Sequence, residues 1–594
     1  MAPAYLGSWC TRRPSFQGIL AAIALAWLLA AMGGSALWAV DAGLNRGAWH
    51  SVLNQAAVWS ALRISLISGL GATVVAIAAT AWLLAHSFAQ PLWNSLVRQI
   101  GLMLALPHAA FAIGLFFLIA PSGWLLRTLS PWATAYTAPP AWITTQDPWG
   151  LGLAAVLVAK ELPFLLWAAT TQLRRTEVQQ LWTRQWLVAR SMGYAPATAW
   201  WRVVWPQLWP RLQWPALAVL AYNLTVVDVA LIIGPTSPPS LAVMAWQWLQ
   251  DADLARQAQG AAAGGLLAGV VTLVGGLGWL AAHAPWWRAR GSCGHGRWDP
   301  DHGQRAAQRC RLVASAAWLA LIALYIGVML VLGMSSIAGL WAFPALWPQS
   351  LTLAGWRAVA ASASTLGTTL GLGLASASAA LVWAVTWLEC VPAHWDARLQ
   401  ALINLPLLLP PVLWVVGMHG LALRWGIDAT GYGVWMSHTL AAMPYVLLAL
   451  RPAYMGFDQR LRWVAASLGQ GHARFLIRVK WPLLRAALSA SLAVGFAVSV
   501  AQYLPTLYLG AGRLETVTTE AVNLAAGGQR TLTAAYAWLQ WLLPALGFGL
   551  ATWAGRPRRW PAAACSPAAL LPTVQQNHVL RGDTHGGAST SQTP

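Results

Sequence analysis

Residues 187–206 read LVARSMGYAPATAWWRVVWP, and residues 463–482 read WVAASLGQGHARFLIRVKWP. The two stretches run in step. Each reaches a glycine (Gly193, Gly469), then nine residues, then a valine (Val203, Val479), then a proline three positions on (Pro206, Pro482). A glycine that accepts positive φ can end one helix, and a proline suits the first turn of the next. The spacing between them predicts a short amphipathic helix. In the second copy Phe475, Leu476 and Val479 share one face, while Arg474, Arg478 and Lys480 decorate others. Such a helix can present a small knob to a partner.

Outward from these two stretches the chain is apolar. Of 594 residues 58% are hydrophobic and 9% charged, against about 25% charged in ordinary globular proteins. Runs of about 20 apolar residues, long enough to cross a hydrocarbon layer as helices, lie near 18–40, 62–86, 99–120, 150–172, 214–234 and 260–282. A second set lies near 312–333, 359–387, 401–423, 433–450, 486–509 and 532–554. Each quoted stretch sits between the fourth and fifth run of its set. The expectation is an all-α polytopic membrane protein of about 12 transmembrane helices, in two parallel six-helix repeats. Membrane β-barrels would show short alternating segments instead.

With the N-terminus inside, 27 of the 36 Lys and Arg residues fall in cytoplasmic segments, as the positive-inside rule requires. Both quoted loops and both termini are then cytoplasmic. The net charge of +20 therefore reflects topology, and nucleic-acid binding is excluded because no aromatic-interleaved basic domain exists. Arg12 and Arg13 precede a run too long for a signal peptide, so it reads as a retained first span. The halves are assigned to 1–284 and 312–560, with a cytoplasmic linker at 285–311 and a disordered tail at 561–594. Cys10, Cys293, Cys310, Cys390 and Cys565 form no paired framework. Cys293, His295, His302 and Cys310 match no usual zinc spacing, and nothing in the sequence calls for a cofactor.

The halves also repeat in detail. Leu106-Pro107 with Gly114 is matched by Leu409-Pro410 with Gly417, and Leu162-Pro163-Phe164 by Met443-Pro444-Tyr445. Together with the two loops, and with His438-Thr439-Leu440 and Asp458 in the second half, this resembles the permease subunits of binding-protein-dependent ABC importers. Their cytoplasmic EAA loop runs Glu-Ala-Ala, three residues, Gly, nine residues, Ile-x-Leu-Pro. The likeness spans the whole chain and is greatest to fused permeases of thiamine and ferric-iron importers. It implies that Gly193, Val203, Pro206, Gly469, Val479 and Pro482 form two coupling elbows for a cytoplasmic ABC ATPase in two copies, with substrate delivered by a periplasmic binding protein at the inner membrane. The family's glutamate is replaced by Leu187 and Trp463, so a contact through that carboxylate does not carry over. The chain is a transport subunit and supplies no ATPase: its two lysines, Lys160 and Lys480, follow no glycine, so no Walker A loop exists.

Lys160, Glu161 and Asp228 fall inside spans, where each charge costs roughly 2.5–3.5 kcal/mol. Glu161 and Asp228 either line a path that attracts a cationic solute or form buried bridges. Gln502 and Tyr503 are further candidate path residues, whereas His108 reads as a packing or interface residue. Thiamine or a related cation, ferric iron and polyamines remain open as solutes. A secondary transporter of the major facilitator type is the alternative, yet residues 87–100, SFAQPLWNSLVRQI, lack that family's Asp-Arg-x-Gly loop. A membrane scaffold without transport is the last alternative.

Overall fold

The computed structural model describes residues 18–27, 29, 33, 45–88, 91–174, 176–283 and 300–556. Among them the chain is helical throughout. Arg12, Arg13, Cys293, His295 and the expected tail at 561–594 lie outside the described residues.

In the first half, α1 (Ala56–Ser87) is followed by α2 (Pro91–Leu104) and α3 (His108–Ile119), α4 (Leu151–Leu173) and α5 (Thr176–Ser191). Then come α6 (Trp205–Thr225), α7 (Asp228–Ile233), α8 (Leu241–Leu249) and α9 (Leu254–His283). The second half opens with α10 (Pro300–Ile337) and continues with α11 (Ala363–Cys390), α12 (Pro411–Trp425), α13 (Gly431–Met455) and α14 (Arg460–Ser467). It closes with α15 (Arg485–Val500), α16 (Leu504–Gly510), α17 (Val517–Ala526) and α18 (Arg530–Ala554). From α1 and α11 onward most elements of the two halves correspond in order, with α2 matched by the split helix Ala393–Ile403 and Leu405–Leu408, while Trp124–Leu129 has no counterpart.

Eight of these helices are long and apolar enough to cross a membrane, or ten if two sharply bent pairs each count as one span. The difference from twelve has local causes. The first expected span is described only in part. The first half's fifth run, Trp205–Thr225, is not among the eight. The two bent pairs are the second half's third and fifth runs, broken at Leu409-Pro410 and at Leu484. Helical breaks also fall at Pro107, at Val226-Val227 and at residues 501–503; at the prolines the cause is the missing N–H and a clash with the preceding turn. The helices α8 and α17 are apolar but, at 9 and 10 residues, too short to register as spans. Residues 300–311, read as linker, are helical and continuous with α10.

Matching pairs pack together in both halves: α1 on α4 and α11 on α13, α4 on α6 and α13 on α15, α8 on α9 and α17 on α18. The opening helices bridge the halves. Helix α10 lies against α18 of its own half and also against α3 and α1 of the first half, and Trp383 of α11 donates its indole N–H to the Ala24 carbonyl of Gly18–Trp27, 3.1 Å away. Gly114 permits the contact with α3, since a Cβ there would stand 2.6 Å from Val328 of α10. One continuous apolar cluster therefore runs through both halves.

Candidate functional site

The two elbows have the same backbone. Gly193 has φ +88° and Gly469 φ +72°, the left-handed region that glycine enters without a Cβ penalty. At both, the glycine N–H bonds three residues back, to Arg190 O (3.1 Å) and Ala466 O (3.0 Å). The next N–H bonds five back, from Tyr194 to Ala189 O (3.3 Å) and from Gln470 to Ala465 O (2.9 Å). This is the Schellman ending of a helix, formed twice. After it, Pro196–Ala199 and His472–Phe475 each make one α-turn and pass into a π-turn, Trp200–Val204 and Leu476–Lys480. Pro206 and Pro482 then sit in the first turn of the following helix.

The π-turn corrects one expectation. Lys480, read as decorating an outer face, is 7% exposed, because the wider turn brings it round to the side of Phe475. Its Nζ lies 2.6 Å from Glu389 Oε2, which also accepts a 2.6 Å bond from the Tyr454 hydroxyl, and His472 Nε2 lies 3.2 Å from Glu389 Oε1. In the first half the corresponding position is Val204, fully buried. There Phe88 packs against Trp186 and Trp200 with ring centroids 5.7 and 5.0 Å apart. One elbow is held by an aromatic clamp and the other by an ionic cluster. Outward, both expose apolar side chains at equivalent positions: Leu187 and Trp463, Val188 and Val464, Met192 and Leu468, Trp201 and Ile477.

The second set of groups lies where the halves meet. The break at Pro107 frees carbonyls at the end of α2, and Lys160 Nζ caps them, 2.5 Å from Leu106 O and 3.2 Å from Met103 O. Its cation also lies 5.9 and 5.6 Å from the ring centroids of Phe111 and Tyr325. Lys160 is thus buried structure and does not pair with Glu161. Glu161 points elsewhere, with Oε1 3.0 Å from Nε2 of His108, the first residue of α3. Lys160→Met keeps much of the packing and removes the donor. It should cost roughly 2–6 kcal/mol, since each of the two orphaned carbonyls costs about 1–3 kcal/mol, and the melting temperature of the purified chain checks it.

Asp228 begins α7 just past the break in the fifth span. Its carboxylate is bonded by the backbone N–H groups of Asp228 and Val229 and interacts electrostatically with His108 and Tyr503. Asp228 lies within electrostatic reach of Tyr222 and Tyr503, and Glu161 within reach of Tyr222 and Tyr445. Tyr445 and Tyr503 come from the second half, so this acidic cluster draws on both halves. Tyr503 donates to Asn523 Oδ1 at 3.2 Å, and Gln502 to Val498 O at 3.2 Å.

No family model matches the chain. Over 533 residues it is 34% identical to the inner membrane ABC transporter permease protein YnjC of Escherichia coli, a match covering 88% of this chain and 94% of that protein. The chain belongs to the ABC transporter permeases. A probable molybdenum ABC transporter permease of Haloferax volcanii is 31% identical over 133 residues, 20% of this chain and 49% of that one.

In this permease the sequence-derived residues fall into two groups. Gly193, Val203 and Pro206, with Gly469, Val479 and Pro482, build the elbows. Glu161, Asp228 and Tyr503 gather in the acidic cluster to which both halves contribute, with Gln502 on the same break as Tyr503. Sequence reading missed His108 as the partner of Glu161, although its place directly after the helix-breaking Pro107 was a usable signal. It also missed Glu389, which only the fold brings to Lys480. His438 proves to be a brace: Nδ1 meets Ser499 Oγ at 2.8 Å and Nε2 meets Thr506 Oγ1 at 2.9 Å, one on each side of the break in the fifth span. Among the described residues no group of three His, Cys, Asp or Glu could hold a metal.

Proposed function

We propose that this permease is the membrane pathway of an importer in the inner membrane, with both termini and both elbows in the cytoplasm. The elbows seat a separate ABC ATPase in two copies, and a periplasmic binding protein delivers the solute. The observation that carries this reading is the duplicated elbow, with its positive-φ glycine and π-turn repeated in each half. Closure of the ATPase pair pushes the two elbows together and rocks the halves, which pack through α3, α10 and α18 at the far end of the bundle. The coupling contact is apolar in this chain. Leu187 and Trp463, 54% and 70% exposed, stand where the family carries glutamate, so the ATPase recess must be apolar there.

The solute is a small cation of the thiamine or polyamine kind, passing Glu161 and Asp228 among Tyr222, Tyr445 and Tyr503, with Gln502 beside them. Carboxylates with aromatic faces suit a cation, which each attracts electrostatically. The molybdenum in the Haloferax relative's name belongs to a match over a fifth of this chain, and a path past two carboxylates does not suit an oxyanion. Proteoliposomes holding the permease with its ATPase and binding protein test the reading. Uptake should require ATP and the binding protein, and uptake driven by an ion gradient alone would overturn it in favour of a secondary transporter.

A further inference from the structure

At the end of the bundle away from the elbows, positive charge collects without a counter-charge. Helix α4, 23 residues long and so about 34 Å, separates this region from the first elbow. Arg127 is 4% exposed. Its Nε donates to Ser122 O (2.9 Å), its Nη1 to Ala342 O (2.9 Å) and Ala345 O (2.7 Å), and its Nη2 to Trp341 O (3.2 Å). The guanidinium also lies over the Trp341 ring, 4.9 Å from its centroid. Four of its five N–H groups are thereby used on backbone carbonyls, which satisfy donors but do not neutralise a charge.

Arg530 adds a second charge. It opens α18 and donates from Nη2 to Ser122 Oγ at 3.0 Å, and the two guanidinium charges repel one another. An arginine there is also at the wrong pole of its helix, since the N-terminus of a 25-residue helix carries about half a positive charge of its own. Among the described residues neither arginine has a carboxylate partner. A cavity of about 150 Å³ opens between them, with Ser122, Gly123, Ser335 and Thr531 on its wall. Its walls come from both halves.

We propose that this cavity binds a small oxyanion, a carboxylate or a tetrahedral phosphate or sulfate, through Arg530 and the remaining N–H of Arg127. The anion relieves the repulsion between the arginines and clasps the first half to the second at this end. Its lining includes neither Asp228 nor Glu161, and it does not depend on what the elbows seat. A free ion and an anionic lipid headgroup present the same chemistry.

The full chain, purified in detergent, is melted in phosphate, in sulfate and in acetate, against chloride at equal ionic strength, and again in micelles doped with phosphatidylglycerol. A saturable rise in melting temperature is expected, and Arg530→Gln should remove it. Arg530 is exposed, so the substitution removes its charge and its bond to Ser122 without opening the core. A rise with the free salts assigns a soluble anion; a rise with the lipid alone, also lost in Arg530→Gln, assigns a headgroup phosphate. If neither source exceeds chloride, or if Arg530→Gln responds as the native chain does, the site does not exist.

Discussion

Valine at both Gly193 and Gly469 is expected to abolish uptake while leaving the chain in the membrane at normal abundance. A Cβ at either position meets nothing within 4 Å, so no clash drives the effect. It comes from the backbone: φ of +88° and +72° costs an L-residue about 1–2 kcal/mol, and more for a β-branched one. Relaxing that strain breaks the Schellman bonds, each worth about 1 kcal/mol. The elbow therefore swings away while the spans, anchored by their own packing, stay. Asparagine enters the left-handed region more readily, so the corresponding asparagine variant should keep most uptake. Uptake per unit of protein and recovery of the ATPase on pull-down measure both variants, and full activity with valine would show that the turn geometry is dispensable.

The second large effect is expected from Asp228→Asn. The change is isosteric and keeps a side-chain oxygen for the backbone N–H groups of its own turn, losing only the longer-range attraction to His108, so folding should be little affected. A charged hydrogen bond to a passing cation is worth about 1.5–3 kcal/mol, which corresponds to roughly 10- to 100-fold. Uptake should fall by that factor while the ATPase still binds. Glu161→Gln mixes two losses, because it also breaks the contact with His108, and should lower both uptake and melting temperature. Unchanged uptake in Asp228→Asn at equal protein levels would remove the acidic cluster from the pathway.

The elbows were legible in sequence because their geometry is local. A positive-φ glycine, a short helix and a proline leave their marks within twenty consecutive residues, and the duplication removed chance as an explanation. Hydropathy located the long spans for the same reason. It failed at α8 and α17, which at 9 and 10 residues are too short to stand out as spans and pack against α9 and α18. It also could not say what Lys160 and Glu161 do. Their roles depend on carbonyls and a histidine more than fifty positions earlier, freed or placed by the break at Pro107. Lys480 was misread because a π-turn shifts the side-chain register, and no local residue preference announces such a turn.

The Lys160 cap bears on how the chain enters the bilayer. A lone α4 would carry two ionised groups into hydrocarbon, at roughly 2.5–3.5 kcal/mol each. Those charges are quenched by atoms of α2 and α3, which are synthesised first. The third and fourth spans should consequently leave the translocon as one hairpin, with the earlier segment waiting at the lateral gate until its lysine-bearing neighbour arrives.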